Sequence, residues 1–273
     1  MIDGFCVIDL HVHSELSGCA DKPPLYTAER VLRHAARLGI DGVGFSDHVL
    51  EPQAALPREL TDELEGRPGL ERPAQLRKIL AGTNALELPP FIIGAEVDAF
   101  GGGLFAITPE GRRSLDFVAM SANHPTRAGM SGPGSADADA VARHTMDVTR
   151  EAVRSGLATS LAHPLIPLHS PEIGAAAYAR YVHLGLEGLL EDIRDAGIIF
   201  GFSRHLVTHS HLFRPRDVQT VYQLAARVGV SLAFETDCHQ LWHMSCIVPL
   251  VELARKISLS PAHFITALPA RQS

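Results

Sequence analysis

No apolar run in the chain approaches the roughly 18 residues that a membrane-spanning helix needs, which excludes a helical membrane protein from the readings. The opening stretch, Met1 to Leu10, carries Asp3 and no basic cluster, so it does not read as a signal peptide, and the expected location is cytoplasmic. Cysteine is sparse. The four at positions 6, 19, 238 and 246 make no CxxC pair, which argues against a disulfide framework. Only three lysines occur, Lys22, Lys78 and Lys256. The glycine-rich stretch Gly129 to Ser135 has no lysine after it, so it is not a phosphate-cradling loop. Positive charge is also short: the net charge is −7 and the basic residues are scattered, with only brief groupings at Arg112–Arg113 and Arg214–Arg216. Duplex nucleic acid is a poor partner for such a balance. A small anionic substrate held by metal cations is compatible with it.

What is present is a chain of 273 residues, 46% of them apolar, enough for one large domain covering 1–273. Strand-like runs recur at Phe5–Leu10, Gly42–Phe45, Phe91–Val97, Phe117–Met120, Leu157–Ala162, Ile198–Phe202 and Val230–Phe234. Helical patterns fall between them, at Ala28–Leu38, Ala74–Leu80, Ala136–Val153, Ala175–Ala196 and Pro215–Val228. This alternation predicts an α/β fold whose parallel sheet closes, or nearly closes, into a barrel of about seven strands. Pro52 to Pro73 and Gly129 to Ser135 read as loops, the first as a lid or a small helical excursion. Ser260–Pro261 reads as the start of a short closing helix.

Histidine is the residue in excess: fifteen, several of them placed where a strand should end. His11 and His13 follow the first strand, two apart, so both rings share a face. His48 follows the second strand, Glu96 ends the third and His124 follows the fourth. His163 ends the fifth, and Asp237 and His239 follow the last. A lone His-x-His, or a His-Pro after a strand, is often only a turn. Six strand ends that converge on one barrel face and carry imidazole or carboxylate point together to a shared metal site. His34, His144, His183 and His263 fall inside helical patterns and read as surface or packing residues. His169, His205, His209, His211 and His243 fall near the same face as candidate proton donors, and of these His211 is taken as the catalytic candidate.

This series resembles the PHP family, the polymerase and histidinol phosphatase superfamily. Its pattern is an HxH after the first strand, a D/E-H after the second, a Glu after the third, later single histidines and a final D-x-H. The match spans residues 9 to 239, and the phrase Gly94-Ala95-Glu96-Val97-Asp98 is most similar to the histidinol-phosphatase-like branch. The resemblance implies a distorted (β/α)7 TIM-like barrel with two or three divalent ions, zinc, manganese or iron. It implies one ion on His11, His13, Glu96 and Asp237, and another on Glu96, His124 and His163. A third falls to His48 and His239, with Cys19 standing where relatives carry a further histidine or aspartate. A thiolate there favours softer ions. A second departure is Phe200-Gly201-Phe202-Ser203-Arg204, where relatives often carry Glu and Asn.

The implied activity is hydrolysis of a small phosphomonoester, with two cations activating a shared water for in-line attack on phosphorus. Arg127 and Arg204 are the candidate phosphate-holding cations, because the guanidinium fork matches phosphate. The alternatives are a phosphodiesterase or nucleotide phosphatase of the same kind, an amidohydrolase-type C–N hydrolase, and a non-catalytic metal-binding module. Against the C–N hydrolase, which commonly carries a carboxylated lysine on its fourth strand, none of the three lysines falls on a predicted strand.

Overall fold

A computed structural model describes residues 1–54, 56–57, 69–82, 88–122, 137–166, 171–210 and 213–270. Nine strands form one sheet: β1 (Ile8–Val12), β2 (Gly42–Phe45), β3 (Phe91–Ile93), β4 (Ala95–Gly101), β5 (Leu104–Phe105), β6 (Val118–Ser121), β7 (Ser160–Leu161), β8 (Ile199–Ser203) and β9 (Leu232–Glu235). Their order is β3-β2-β1-β9-β8-β7-β6-β4-β5, and every pairing is parallel except that of β4 with β5. Only Gly94 separates β3, which pairs with β2, from β4, which pairs with β6. The two ends of the order are therefore one continuous strand, and the sheet closes on itself as a seven-stranded barrel with β5 folded back as an appended hairpin. The fold class expected from the strand–helix alternation is the one observed.

Two apolar layers hold it. The large core packs the outward faces of the strands against the helices, with Val12, Val43, Phe45, Phe200, Phe202, Leu232 and Phe234 all buried in it. Small clusters fill the barrel itself: Ile8 and Leu10 with Ile199 and Ala233, and Phe117 with Ala119 and Ala162. Gly44 is needed beside the second of these, because a Cβ there would lie 2.8 Å from the Phe117 ring.

The helices form where the pattern places them. Helices Ala28–Leu38 and Pro215–Val228 match the predicted spans, and the Thr27 hydroxyl caps the first by accepting the Arg30 N–H at 3.2 Å. The predicted helix over 175–196 is divided into Pro171–Tyr178, a 3-10 turn at Tyr181–Leu184 and Leu186–Asp195, and Gly185, at a left-handed φ of 87°, separates the last two. The end of the predicted loop 52–73 is already helical, in Glu71–Ala81, and the rest of that loop lies largely outside the described residues. The stretch 129–135 lies wholly outside them. The strand predicted over 157–162 shortens to Ser160–Leu161. Among the described residues no helix is long and apolar enough to cross a membrane.

Candidate metal centre

The centre begins with an irregularity in β1. Ile8 and Leu10 point into the barrel, and strict alternation would then turn His11 away. The β1–β2 pairing shifts register between Asp9 and Val12, so Val12 joins the outer core while His11 and His13 face the mouth. Asp9 fixes this kink. Its carboxylate accepts the His11 N–H at 3.2 Å, the Thr236 N–H at 3.0 Å and the Thr236 hydroxyl at 2.5 Å. Burial, only partly offset by those bonds, raises the Asp9 carboxyl to about 7.

Glu96, 1% exposed, is the centre's hub. Its Oε2 lies 3.2 Å from His11 Nε2, 3.4 Å from His13 Nε2 and 3.0 Å from His48 Nδ1, and its Oε1 lies 3.2 Å from His163 Nε2. Burial opposes its charge, but His48, His11 and His163 outweigh burial and hold it well below the usual carboxylate range. Asp237 closes the other side, with Oδ1 3.5 Å from His11 Nε2 and 3.3 Å from His13 Nε2. Its Oδ2 accepts from Arg204 at 3.1 Å and lies 3.0 Å from His205 Nε2. Burial would raise its carboxyl too, and the bonds to His13 and His205 more than reverse that. His163 and Asp237 both sit at positive φ, 32° and 43°, a strained backbone often found where side chains are aimed for function.

A third group lies outward. Cys19, His48 and His239 gather with His13, and the His13 and His239 rings stack at 4.2 Å. Loop residues anchor this side: the Asp47 carboxylate accepts the Ser14 N–H at 2.6 Å, and the Tyr26 hydroxyl donates to the carbonyls of His13 (2.6 Å) and Cys238 (2.9 Å).

The donor set fits divalent cations. Three groups each bring their ligand atoms within 4.8 Å of one another: His11, His13 and Asp237; His11, Glu96 and His163; His13, Cys19, His48 and His239. The His11 and His13 Nε2 atoms are 3.2 Å apart and both face carboxylate oxygens in a fully buried space. So many lone pairs converging in a buried space demand shared protons or a cation, and imidazole with carboxylate is the set that borderline divalent ions prefer.

Of the residues expected from sequence, His11, His13, Cys19, His48, Glu96, His163, Asp237 and His239 meet here. Arg204 reaches the same point but is spent on Asp237, through Oδ2 and, at 3.3 Å, the backbone carbonyl. His124, Arg127 and His211 lie outside the described residues. None of His34, His144, His183 and His263 joins the cluster. Sequence reading did not single out Asp9, Asp47, Glu235 or the contact of His205 with Asp237. The signals for the first three were their positions within two residues of the ligand motifs.

No protein-family model matches the chain, and no curated protein matches it in sequence. Solved structures do. A histidinol phosphate phosphatase from Lactococcus lactis, solved with zinc, L-histidinol and phosphate, superposes with a TM-score of 0.58 at 14% identity over 94% of this chain and 95% of that one. A putative histidinol phosphatase from Listeria monocytogenes gives 0.57 at 11% identity, over 86% and 96%. The ochratoxinase of A. niger gives 0.50 at 12%, over 94% of this chain and 68% of that one. At such identities the likeness is one of fold: the chain has the barrel of the histidinol phosphatases.

Proposed function

We propose that the protein is a metal-dependent phosphoesterase acting on a small phosphomonoester at the barrel mouth. The observation that carries this reading is Glu96, one buried carboxylate within 3.0 to 3.4 Å of four imidazoles. In this reading His11, His13, Glu96, His163 and Asp237 hold two ions, with His124 completing the set. Cys19, His48 and His239 hold a third. Bound there, zinc or a similar ion supplies a lowered pKa for water and neutralises charge on phosphoryl oxygens.

The protein's own residues orient and insulate. Asp9 and Arg204 fix the two sides of the Asp237 loop, and Asp47 and Tyr26 fix the His13 turn. The Arg204 guanidinium, beside Asp237, is proposed to add positive charge for a phosphate held between the ligands. Arg127 is proposed as a second phosphate contact and His211 as proton donor to the leaving oxygen. The small phosphomonoester is supported by the structural likeness to a phosphatase that binds L-histidinol and phosphate.

A C–N hydrolase is disfavoured by one observation: Lys22, Lys78 and Lys256 all lie off the strands. The test is release of phosphate from a panel of phosphomonoesters and phosphodiesters, alongside amide substrates, before and after chelation. Chelator-sensitive monoester turnover supports the proposal. Turnover of amides alone overturns it.

A further inference from the structure

Trp242 is the sole tryptophan of the chain and is 59% exposed. Single exposed apolar residues are ordinary on protein surfaces. This one differs in how it is held. It lies in the short helix Leu241–Met244, three residues after His239. Its indole N–H donates to the Gln240 side-chain oxygen, and Gln240 in turn donates to Asp21 Oδ1 at 3.2 Å. The Asp21 N–H returns to the His239 carbonyl at 2.9 Å, closing a loop of bonds around the rim. The His243 ring meets the indole edge to face at 4.1 Å, and His243 Nδ1 accepts the His239 N–H at 3.1 Å.

The result is a row of rings leading out of the metal centre. His13 stacks on His239 at 4.2 Å, His239 lies edge to face with His243 at 6.1 Å, and His243 meets Trp242 in the same way at 4.1 Å. An indole so held offers an exposed apolar surface two ring steps from a candidate ligand. Flat aromatic groups stack on such a surface favourably, whereas a short polyol gains little.

We infer that Trp242 is a specificity-determining residue, the platform on which an aromatic or heteroaromatic leaving group rests while its phosphate lies among the metal ligands. The inference builds on the phosphoesterase reading and narrows its substrate class to monoesters of ring-bearing alcohols. The stacking is the same in ground and transition states, so its loss raises KM and leaves kcat in place.

The test compares phenyl phosphate with glycerol 1-phosphate on the metal-loaded wild type, Trp242→Phe and Trp242→Ala. The expected result for Trp242→Ala is a rise of about tenfold in KM for phenyl phosphate. Its kcat should stay within about twofold, and glycerol 1-phosphate should change by less than about twofold. Trp242→Phe should recover most of the loss. Because the chain has one tryptophan, its emission gives a second readout: phenylphosphonate should shift or quench it and ethylphosphonate should not. Equal effects on both esters, or emission unmoved at inhibitory phenylphosphonate, overturn the inference and leave the phosphoesterase intact. Hydrolysis of neither ester by the wild type overturns both.

Discussion

The backbone N–H of His163 donates to the Glu235 carboxyl over 2.7 Å, tying the turn after β7 to the end of β9 inside the barrel. Glu235 is fully buried, and burial, with Asp9, Asp237 and Glu96 nearby, pushes its carboxyl well above the ordinary range. It fits because position 201 is glycine: a Cβ there would lie 2.1 Å from Glu235 Oε2. The pair holds His163 in its left-handed turn, facing Glu96.

Removing this tether should loosen the metal ligand it aims. Glu235→Ala is expected to weaken metal affinity about 10- to 100-fold, the usual effect of losing a group that orients a ligand. Glu235→Gln keeps an acceptor for the N–H and should stay close to wild type. Competition with a chromophoric chelator measures both, and wild-type affinity in Glu235→Ala would show the tether to be dispensable.

Cys19 makes the outer site distinctive. Its Sγ lies 3.1 Å from Ser17 Oγ and 4.0 Å from His13 Nδ1. Burial alone would raise the thiol, but His13, His239 and His48 outweigh it and bring it to about 3. A cobalt-loaded protein should show thiolate-to-metal charge-transfer absorption, absent in Cys19→Ser, while the weaker visible bands of the other sites persist. Cobalt binding without the charge-transfer band would make Cys19 a bystander.

Arg204 holds Asp237 by two bonds, from Nε and from a terminal nitrogen. Arg204→Ala should lower kcat/KM by about tenfold or more. Arg204→Lys should not restore it, because an ammonium cannot reproduce the planar fork. Steady-state kinetics decide this, and unchanged kcat/KM in Arg204→Ala would remove the residue from the machinery.

Asp9 gives the metal-free protein a pH signature. Its carboxyl sits at about 7 in the fold against a reference of 3.8, chiefly through burial. Between those values the folded chain binds more protons than the unfolded chain, so this contribution to stability falls as pH rises. The slope is at most about 1.4 kcal/mol per pH unit. Asp9→Asn removes it. Denaturation of both metal-free proteins from pH 5 to pH 7 should show wild type losing stability relative to Asp9→Asn, and a constant difference would contradict the assignment.

Much of this was legible in the chain. Strand ends are where a parallel barrel collects its chemistry, so His11, His13, His48, Glu96, His163, Asp237 and His239 announced themselves by position. Closure through Gly94 did not, since one strand that pairs with β2 in its first half and β6 in its second reads simply as one long apolar run. Glu235 and Asp9 were hidden for a related reason: their roles are hydrogen bonds to residues 72 and 227 positions away, which no local pattern carries. His205 stood among several loop histidines, and only the turn after β8 distinguishes it by setting it on Asp237.

The most direct test is metal content by elemental analysis, on the same preparation used to assay phosphomonoester hydrolysis before chelation, after it and after reconstitution. The account predicts two or three divalent ions per chain and an activity that falls and returns with them. A chain that binds no metal even after reconstitution would contradict it.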